Sequence, residues 1–402
     1  MLLLDEPLRP LRGTGDDNPY ISFRSYLAWD SFAAARGLSD EQRVELIRRT
    51  DARVAKVAGT GFRTTPYGRH DALSDALGFS KAGGVWIKDE THNVGGSHKA
   101  RHLYTELLHL LVAEQVGVAG WASPARRPNL AIASCGNAAF AAATLARSVD
   151  WPIRVFVPVD ADAALVEMLS RLDAVVVRCS RLTDDKPGDP CVLRFREEVA
   201  NGAIPFGVQG PENAWCLDGG RTLGWEIADA QERVSGPPLD RLFIQIGGGA
   251  FAASAAAGLF AGGLRPKLHA VQAQGCAPLA RAWQIAQASG GIRDAASRWD
   301  ECMWPWEVSP FSLADGILDD ETYDWVAVCN LMSESGGSPI VAAEKNIVEA
   351  YALAHRVTDI DVSPTGSAGL AGVLDIRHEV ADDERVAVVF SGVRRSFTPL
   401  PA

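Results

Sequence analysis

The chain has 402 residues, 47% of them hydrophobic, and a formal net charge of −11; it can fill one large core or two medium ones, and two lobes are expected. The negative balance, with no basic run to offset it, excludes a general nucleic-acid or membrane-surface binder. Seven cysteines, an odd number without Cys-x-x-Cys spacing, read as reduced thiols of a cytoplasmic protein, and no apolar stretch is long and charge-free enough to span a bilayer.

Met1-Leu2-Leu3-Leu4 is too short for a signal peptide and is followed at once by acids. An irregular arm is expected to about Tyr20, then a helical region from Arg24 to Arg36. Ser39 and Gln42 have capping-box spacing ahead of an amphipathic helix running to about Val57. Thr65-Pro66 breaks the chain, and Val85 to Lys88 reads as a short strand.

That strand leads into Asn93-Val94-Gly95-Gly96-Ser97-His98-Lys99-Ala100-Arg101, with an apolar-periodic helix from Ala100 to Val112. Lys99 therefore stands at a helix start, where unpaired N–H groups and the positive end of the helix dipole favour an anion. A lysine amine that attacks a carbonyl must spend time neutral, and a cationic, partly desolvated setting moves it that way. An anionic aldehyde cofactor meets both demands. Taken alone, a lysine at a helix start is more often a solvated surface charge. Lysine is scarce here, however, with seven against a large excess of arginine.

Further on, the apolar strand before Ser134 runs into Ser134-Cys135-Gly136-Asn137 and an alanine-rich helix, a second turn that presents a helix start. Alone it would be an ordinary turn with an N-capping residue. Trp151 to Val159 and Ala174 to Cys179 read as strands with a helix from Ala161 to Leu172 between them, an alternation that indicates a parallel sheet. Thr183 to Pro190 is a polar surface loop, and Asp218 to Ile227 opens a helix. Leu242 to Ile246, Gly247-Gly248-Gly249, then Ala250 onward is a strand, a triple glycine and a helix. Such glycines let successive amides converge into a nest that binds phosphate without a charged side chain. Gly-x-Gly-x-x-Gly spacing is not met, which weakens a dinucleotide reading. The Trp-rich run Trp299 to Trp306 reads as core or subunit contact more readily than as a substrate lid. Arg385 to Phe390 is a strand ending in Ser391-Gly392.

The lysine turn, Ser-x-Gly-Asn, triple glycine and terminal Ser-Gly stand in one order, each at a strand end. In this they resemble the pyridoxal-phosphate enzymes of fold type II, the tryptophan-synthase-β family, with serine/threonine dehydratases and threonine synthases as the nearest members. The resemblance spans roughly Thr60 to Ser396. It implies an α/β fold of two lobes, each with a mostly parallel sheet flanked by helices. The expected division is 1–90 as the N-terminal part of the large lobe, 91–212 as the small lobe and 213–402 as the rest of the large lobe.

It also implies site roles. Lys99 would carry pyridoxal 5'-phosphate as a Schiff base and then serve as general base, with His98 beside the cofactor. Asn137 would contact the cofactor's phenolic oxygen, and Ser134, Cys135, Gly136 and Asn137 the substrate carboxylate. Gly247, Gly248, Gly249 and Ala250 would hold the phosphate. Ser391 would face the pyridine nitrogen; a hydroxyl there does not stabilise a protonated ring, which suits β-elimination. Cys135 would be a second acid/base on the opposite face of the cofactor, or a small buried thiol filling an alanine's place. No metal is implied.

Several segments depart from the family pattern. Ala250-Phe251 replaces a fourth glycine and leucine, leaving the backbone angle at 250 open, and Ser363 replaces the glutamate of a Glu-Pro-x-Gly-Ala segment. Ala314-Asp315-Gly316 matches a dehydratase segment, while Gly219-Gly220-Arg221-Thr222 is equally compatible with threonine synthases. The expected activity is α,β-elimination on a small amino acid, giving a 2-oxo acid and ammonia. A β/γ-replacement synthase and a cofactor-binding protein without turnover are the alternatives. A homodimer is expected by analogy, and no regulatory domain after Ser396.

Overall fold

The structure is a computed structural model that describes residues 12–121, 123–233 and 237–395. The opening Met1-Leu2-Leu3-Leu4 and the end of the resemblance at Ser396 lie outside the described residues. Ten strands are described: β1 Tyr67–Arg69, β2 Gly84–Asp89, β3 Leu130–Ala133, β4 Ile153–Pro158, β5 Val175–Cys179, β6 Ile204–Pro205, β7 Arg241–Gln245, β8 Lys267–Ala273, β9 Ser338–Ala342 and β10 Arg385–Phe390. They form two sheets in two compact units.

The first unit comprises the described residues up to Thr64 together with Asn93–Thr222. Its sheet has the order β5-β4-β3-β6, parallel throughout. Ala131, Phe156, Cys179, Cys191 and Phe195 form a core on this sheet. The residues before Thr64 group with this sheet because they are tied into it by burial and hydrogen bonds. Tyr20, Phe62 and Tyr104 form an aromatic cluster with ring centroids 4.4–5.0 Å apart, and the Tyr20 hydroxyl donates to the Arg101 carbonyl at 2.7 Å. The Ser39/Gln42 capping box is formed reciprocally and opens the helix Asp40–Ala58, which Gly59 ends at φ +78°.

The second unit comprises Thr65–His92 and the described residues from Leu223 on. Its sheet has the order β1-β2-β10-β7-β8-β9; β1 runs antiparallel to β2 and every other pair is parallel. All six residues of β2 are buried, as a central strand covered on both faces requires. Lys88, on that strand, is fully buried because its Nζ reaches Glu226 Oε2 at 2.5 Å and the Thr65 carbonyl at 2.7 Å. The Thr65 hydroxyl in turn donates to Glu90 Oε1 at 2.5 Å.

Elements fall close to their expected positions, with differences at the ends. The helix expected to open at Asp218 begins earlier, spanning Trp215–Glu232. Asp218 is therefore inside it, and its Oδ2 accepts from the Ala28 N–H at 2.7 Å, satisfying the start of the helix Ala28–Ala35, which has no side-chain cap of its own. The Trp-rich run places Trp299 against Trp325, while the Arg281 guanidinium stacks on Trp304 at 3.9 Å and lies near Trp306 at 5.2 Å. All seven cysteines are thiols, none of them joined in a disulfide. No helix among the described residues is long and apolar enough to cross a membrane.

Candidate active site

In the first unit the turn before Lys99 is built on two left-handed glycines, Gly95 at φ +70° and Gly96 at φ +71°. A side chain at Gly95 would meet the Phe140 ring at 3.6 Å, so the turn packs against the helix Asn137–Ser148. The lysine helix spans Lys99–Gln115 and starts at Lys99, with His98 at the N-cap position and no side-chain cap. His98 is buried, and that burial, with Lys99, His102 and Arg101 as neighbours, pushes its imidazole well below the usual range. His102 is pushed down to about 3, first by burial and then by Lys99. Its Nδ1 lies 2.8 Å from the Cys216 carbonyl, which assigns the proton of the neutral ring to Nδ1. One turn further on, burial raises the Glu106 carboxyl well above its usual range. On this face the two imidazoles are therefore held neutral, and the Glu106 carboxyl is shifted toward its protonated form.

The second turn leaves β3. Ser134 N–H donates to the Phe156 carbonyl at 3.1 Å, Gly136 N–H to Ser134 Oγ at 3.3 Å, and Asn137 is the first residue of its helix, with Gly136 as an N-cap that offers no side chain. A helix start without a side-chain cap keeps its first amides for another acceptor. Cys135 is exposed. The expectation of a small buried thiol is corrected: the residue is exposed, two positions ahead of the helix.

In the second unit β2, β10 and β7 are neighbours. Their carboxyl ends lead respectively toward the lysine turn, into Ser391 and into the triple glycine, the end of a parallel sheet where ligands bind. Gly249 has φ +99° and caps the helix Ala250–Ala261 without a side-chain bond. Because the left-handed angle falls on Gly249, Ala250 needs none; it is the first helical residue and is buried. A Cβ at Gly247 would run into the Asp319 carboxylate and stand 3.2 Å from Ile317 Cα, so any larger residue there requires its neighbours to shift. Ser391 is 2% exposed, and its N–H donates to the Gly366 carbonyl at 3.2 Å. Gln245, at the end of β7, donates from Nε2 to the same carbonyl at 2.9 Å and to that of Val389 at 3.2 Å, locking the ends of β7 and β10 together. Ser363, where an acid was expected, caps the helix Pro364–Asp375, its Oγ accepting from Gly366 N–H at 3.0 Å.

The sequence profile of the family described as pyridoxal-phosphate dependent enzyme matches residues 59–392. The chain belongs to that family. Pyridoxal 5'-phosphate is accordingly its cofactor, and the residues present fit it: a run of three glycines closely covered by its neighbours, a helix start beyond it, a lysine at a second helix start and a buried hydroxyl. Among relatives, the chain is 23% identical over 338 residues to a threonine synthase of Methanosarcina acetivorans, covering 82% of this chain and 74% of that one. It is 24% identical over 314 residues to an L-threo-3-hydroxyaspartate ammonia-lyase of Pseudomonas sp, covering 77% and 84%. Among solved structures, the processed form of threonine deaminase isoform 2 from Solanum lycopersicum superposes with a TM-score of 0.63 at 16% identity, covering 90% of this chain and 87% of that one; this likeness shows the fold.

Within the family's frame, the lysine turn and the Ser134–Asn137 turn belong to the first unit, and the glycine turn and Ser391 to the second. Two residues of consequence are not singled out by the sequence. Asp319 lies against the glycine turn although it is 72 residues away along the chain, past the matched Ala314-Asp315-Gly316 segment. His102 falls on the helix face of His98, which the i, i+4 spacing alone could have flagged.

Proposed function

We propose that this protein is a pyridoxal-phosphate dependent lyase that removes a β-substituent from a small amino acid by α,β-elimination, releasing a 2-oxo acid and ammonia. Bound at Lys99, the cofactor supplies an electron sink that weakens the bonds at the substrate Cα. Lys99, its amine beside the substrate Cα, would take the Cα proton as general base. The amides and Ser134 hydroxyl of the Ser134–Asn137 turn hold the substrate carboxylate, with Asn137 beside the phenolic oxygen and His98 beside the lysine. The amides of Gly247 to Ala250 hold the phosphate.

The observation that carries elimination is the buried Ser391 hydroxyl after β10. A hydroxyl, unlike a carboxylate, leaves the pyridine nitrogen unprotonated, which favours expulsion of a leaving group over reactions needing long-lived charge on the ring. The ammonia-lyase relative supports the same reading. A replacement synthase is the second reading, favoured by the threonine synthase relative. A binding protein without turnover is the third, and the intact Lys99 speaks against it.

The deciding experiment offers serine, threonine, phosphorylated homoserine and O-acetylserine to the purified protein and identifies products. A 2-oxo acid and ammonia are expected; threonine formed from phosphorylated homoserine would establish the synthase, and a spectral change without product the third reading. Borohydride should fix the cofactor on the peptide containing Lys99, and Lys99→Ala should lose both that adduct and the yellow colour. The reduced cysteines and acidic charge support a cytoplasmic setting, and symmetric association of enzymes this size supports a homodimer, which light scattering would test.

A further inference from the structure

The backbone pairing between β7 and β10 stops at Phe243 and Val388, short of the carboxyl ends of both strands. Beyond that point the side chain of Gln245 bridges them, its Nε2 donating to the Gly366 carbonyl at 2.9 Å and to the Val389 carbonyl at 3.2 Å. Both acceptors are carbonyls, which fixes the amide with its nitrogen toward them. Gln245 is 3% exposed, and among the described residues no group donates to its buried Oε1. Leucine would fill this space without an orphaned oxygen, so packing alone does not account for a glutamine here. The Gly366 carbonyl also accepts from the Ser391 N–H at 3.2 Å, so two donors converge on it. We propose that Gln245 is a positioning residue: by holding the Gly366 and Val389 carbonyls it sets where the Ser391 hydroxyl stands, and thereby the contact made with the cofactor's pyridine nitrogen. The inference rests on the reading that Ser391 faces that nitrogen.

The physical basis is alignment. A hydroxyl stabilises a ring nitrogen only at hydrogen-bond distance, and the bond weakens steeply once its angle falls below about 120°. The main chain around Ser391 is held at successive residues: the Val389 carbonyl accepts from Gln245, the Phe390 carbonyl from the Glu90 N–H at 2.8 Å, and the Gly392 carbonyl from the Ser363 N–H at 2.7 Å, while the Ser391 N–H donates to Gly366. Glu90 and Ser363 act here through their backbones, so their substitution leaves these bonds in place. Gln245 acts through its side chain, directly on Val389 and through Gly366 on Ser391 itself. Gln245→Leu removes both bonds. Gln245→Glu keeps the shape but turns a carboxylate oxygen on two carbonyls, which repel it. Either change releases Val389 and Gly366 and lets Ser391 move off the nitrogen. Any effect on the nearby glycine turn is shared by every ligand carrying the phosphate, so ligands that differ only at the ring nitrogen isolate the Ser391 contact.

The test titrates cofactor-stripped protein with pyridoxal phosphate and, separately, with 1-deazapyridoxal phosphate, in which carbon replaces the ring nitrogen, following absorbance. The ratio of the two dissociation constants reads the contact at the nitrogen. The native protein should favour pyridoxal phosphate about tenfold more strongly than Ser391→Ala does, the worth of one hydrogen bond. Gln245→Leu and Gln245→Glu, with Ser391 intact, should each bring the ratio to within about twofold of the Ser391→Ala value. If both variants keep the native ratio, whether or not they weaken the two ligands alike, Gln245 is structural only and the inference is overturned. If Ser391→Ala itself keeps the native ratio, the reading of Ser391 fails and takes this inference with it. Urea midpoints show that each variant is folded, and Gln245→Glu, equal in size to the native residue, carries the test should the leucine variant not fold.

Discussion

Asp218 is fully buried, and burial raises its carboxyl to about 7 despite Arg221 and the Ala28 N–H, both of which lower it. Its unfolded value lies near 3.8. The folded chain therefore keeps a proton that the unfolded chain releases as pH rises past 4. Below that pH the group has no effect; stability should fall between about pH 4 and 7 and stay lowered above, by up to about 4 kcal/mol. Asp218→Asn, which can still accept from Ala28, should flatten this slope, so its advantage over the native chain grows toward alkaline pH in urea titrations. Cys135 invites a second measurement. With the thiol exposed, Cys135→Ala should keep ammonia release while slowing exchange of the substrate α-proton in deuterated water by about tenfold or more, and Cys135→Ser should behave similarly. Equal exchange rates in all three proteins would remove the thiol from the chemistry.

At the scale of elements, Ser363 shows how a departure from a family pattern can be read as structure. Its hydroxyl caps a twelve-residue helix whose first turn abuts Ser391. Ser363→Ala should cost about 1 kcal/mol, seen as a lower urea midpoint, with Ser363→Asp recovering most of it. Caps and glycine turns are legible in the sequence because their causes are local. The Ser39/Gln42 box, the end of β10 and the lysine helix start each depend on residues within four positions of one another. The helix Trp215–Glu232 starts ahead of its expected position because Asn213 and Trp215, which open it, carry no capping pattern apart from an Asn213 Oδ1 bond to the Trp215 N–H. Cys135's exposure and Asp319's seat on the glycines lie out of reach for another reason. Both depend on which distant segment covers a turn, and spacing along the chain says nothing of that.

For the molecule as a whole, the decisive feature is that its units alternate in sequence, the chain passing from one to the other after Thr64, His92 and Thr222. Within the second unit, the buried group of Thr65, Lys88, Glu90 and Glu226 gathers residues close to all three points. Glu226→Ala would remove the carboxylate that pairs with the buried Lys88 ammonium and should destabilise the protein by about 3–5 kcal/mol. Lys88→Met combined with Glu226→Leu should restore much of that loss in thermal unfolding, and a double variant no better than the single would argue against the pairing.

The same alternation bears on how the protein comes to be made. β2 leaves the ribosome early, all six residues destined for burial, yet its parallel partner β10 is encoded far downstream; Arg377 and Leu77, which bond across this region, are separated by 300 residues. At about 5–20 residues per second, the strand waits on the order of 15–60 seconds for its neighbour. During that interval Val85, Trp86 and Ile87 present an unmatched apolar edge, so newly made chains should depend on chaperones until the last strand is translated.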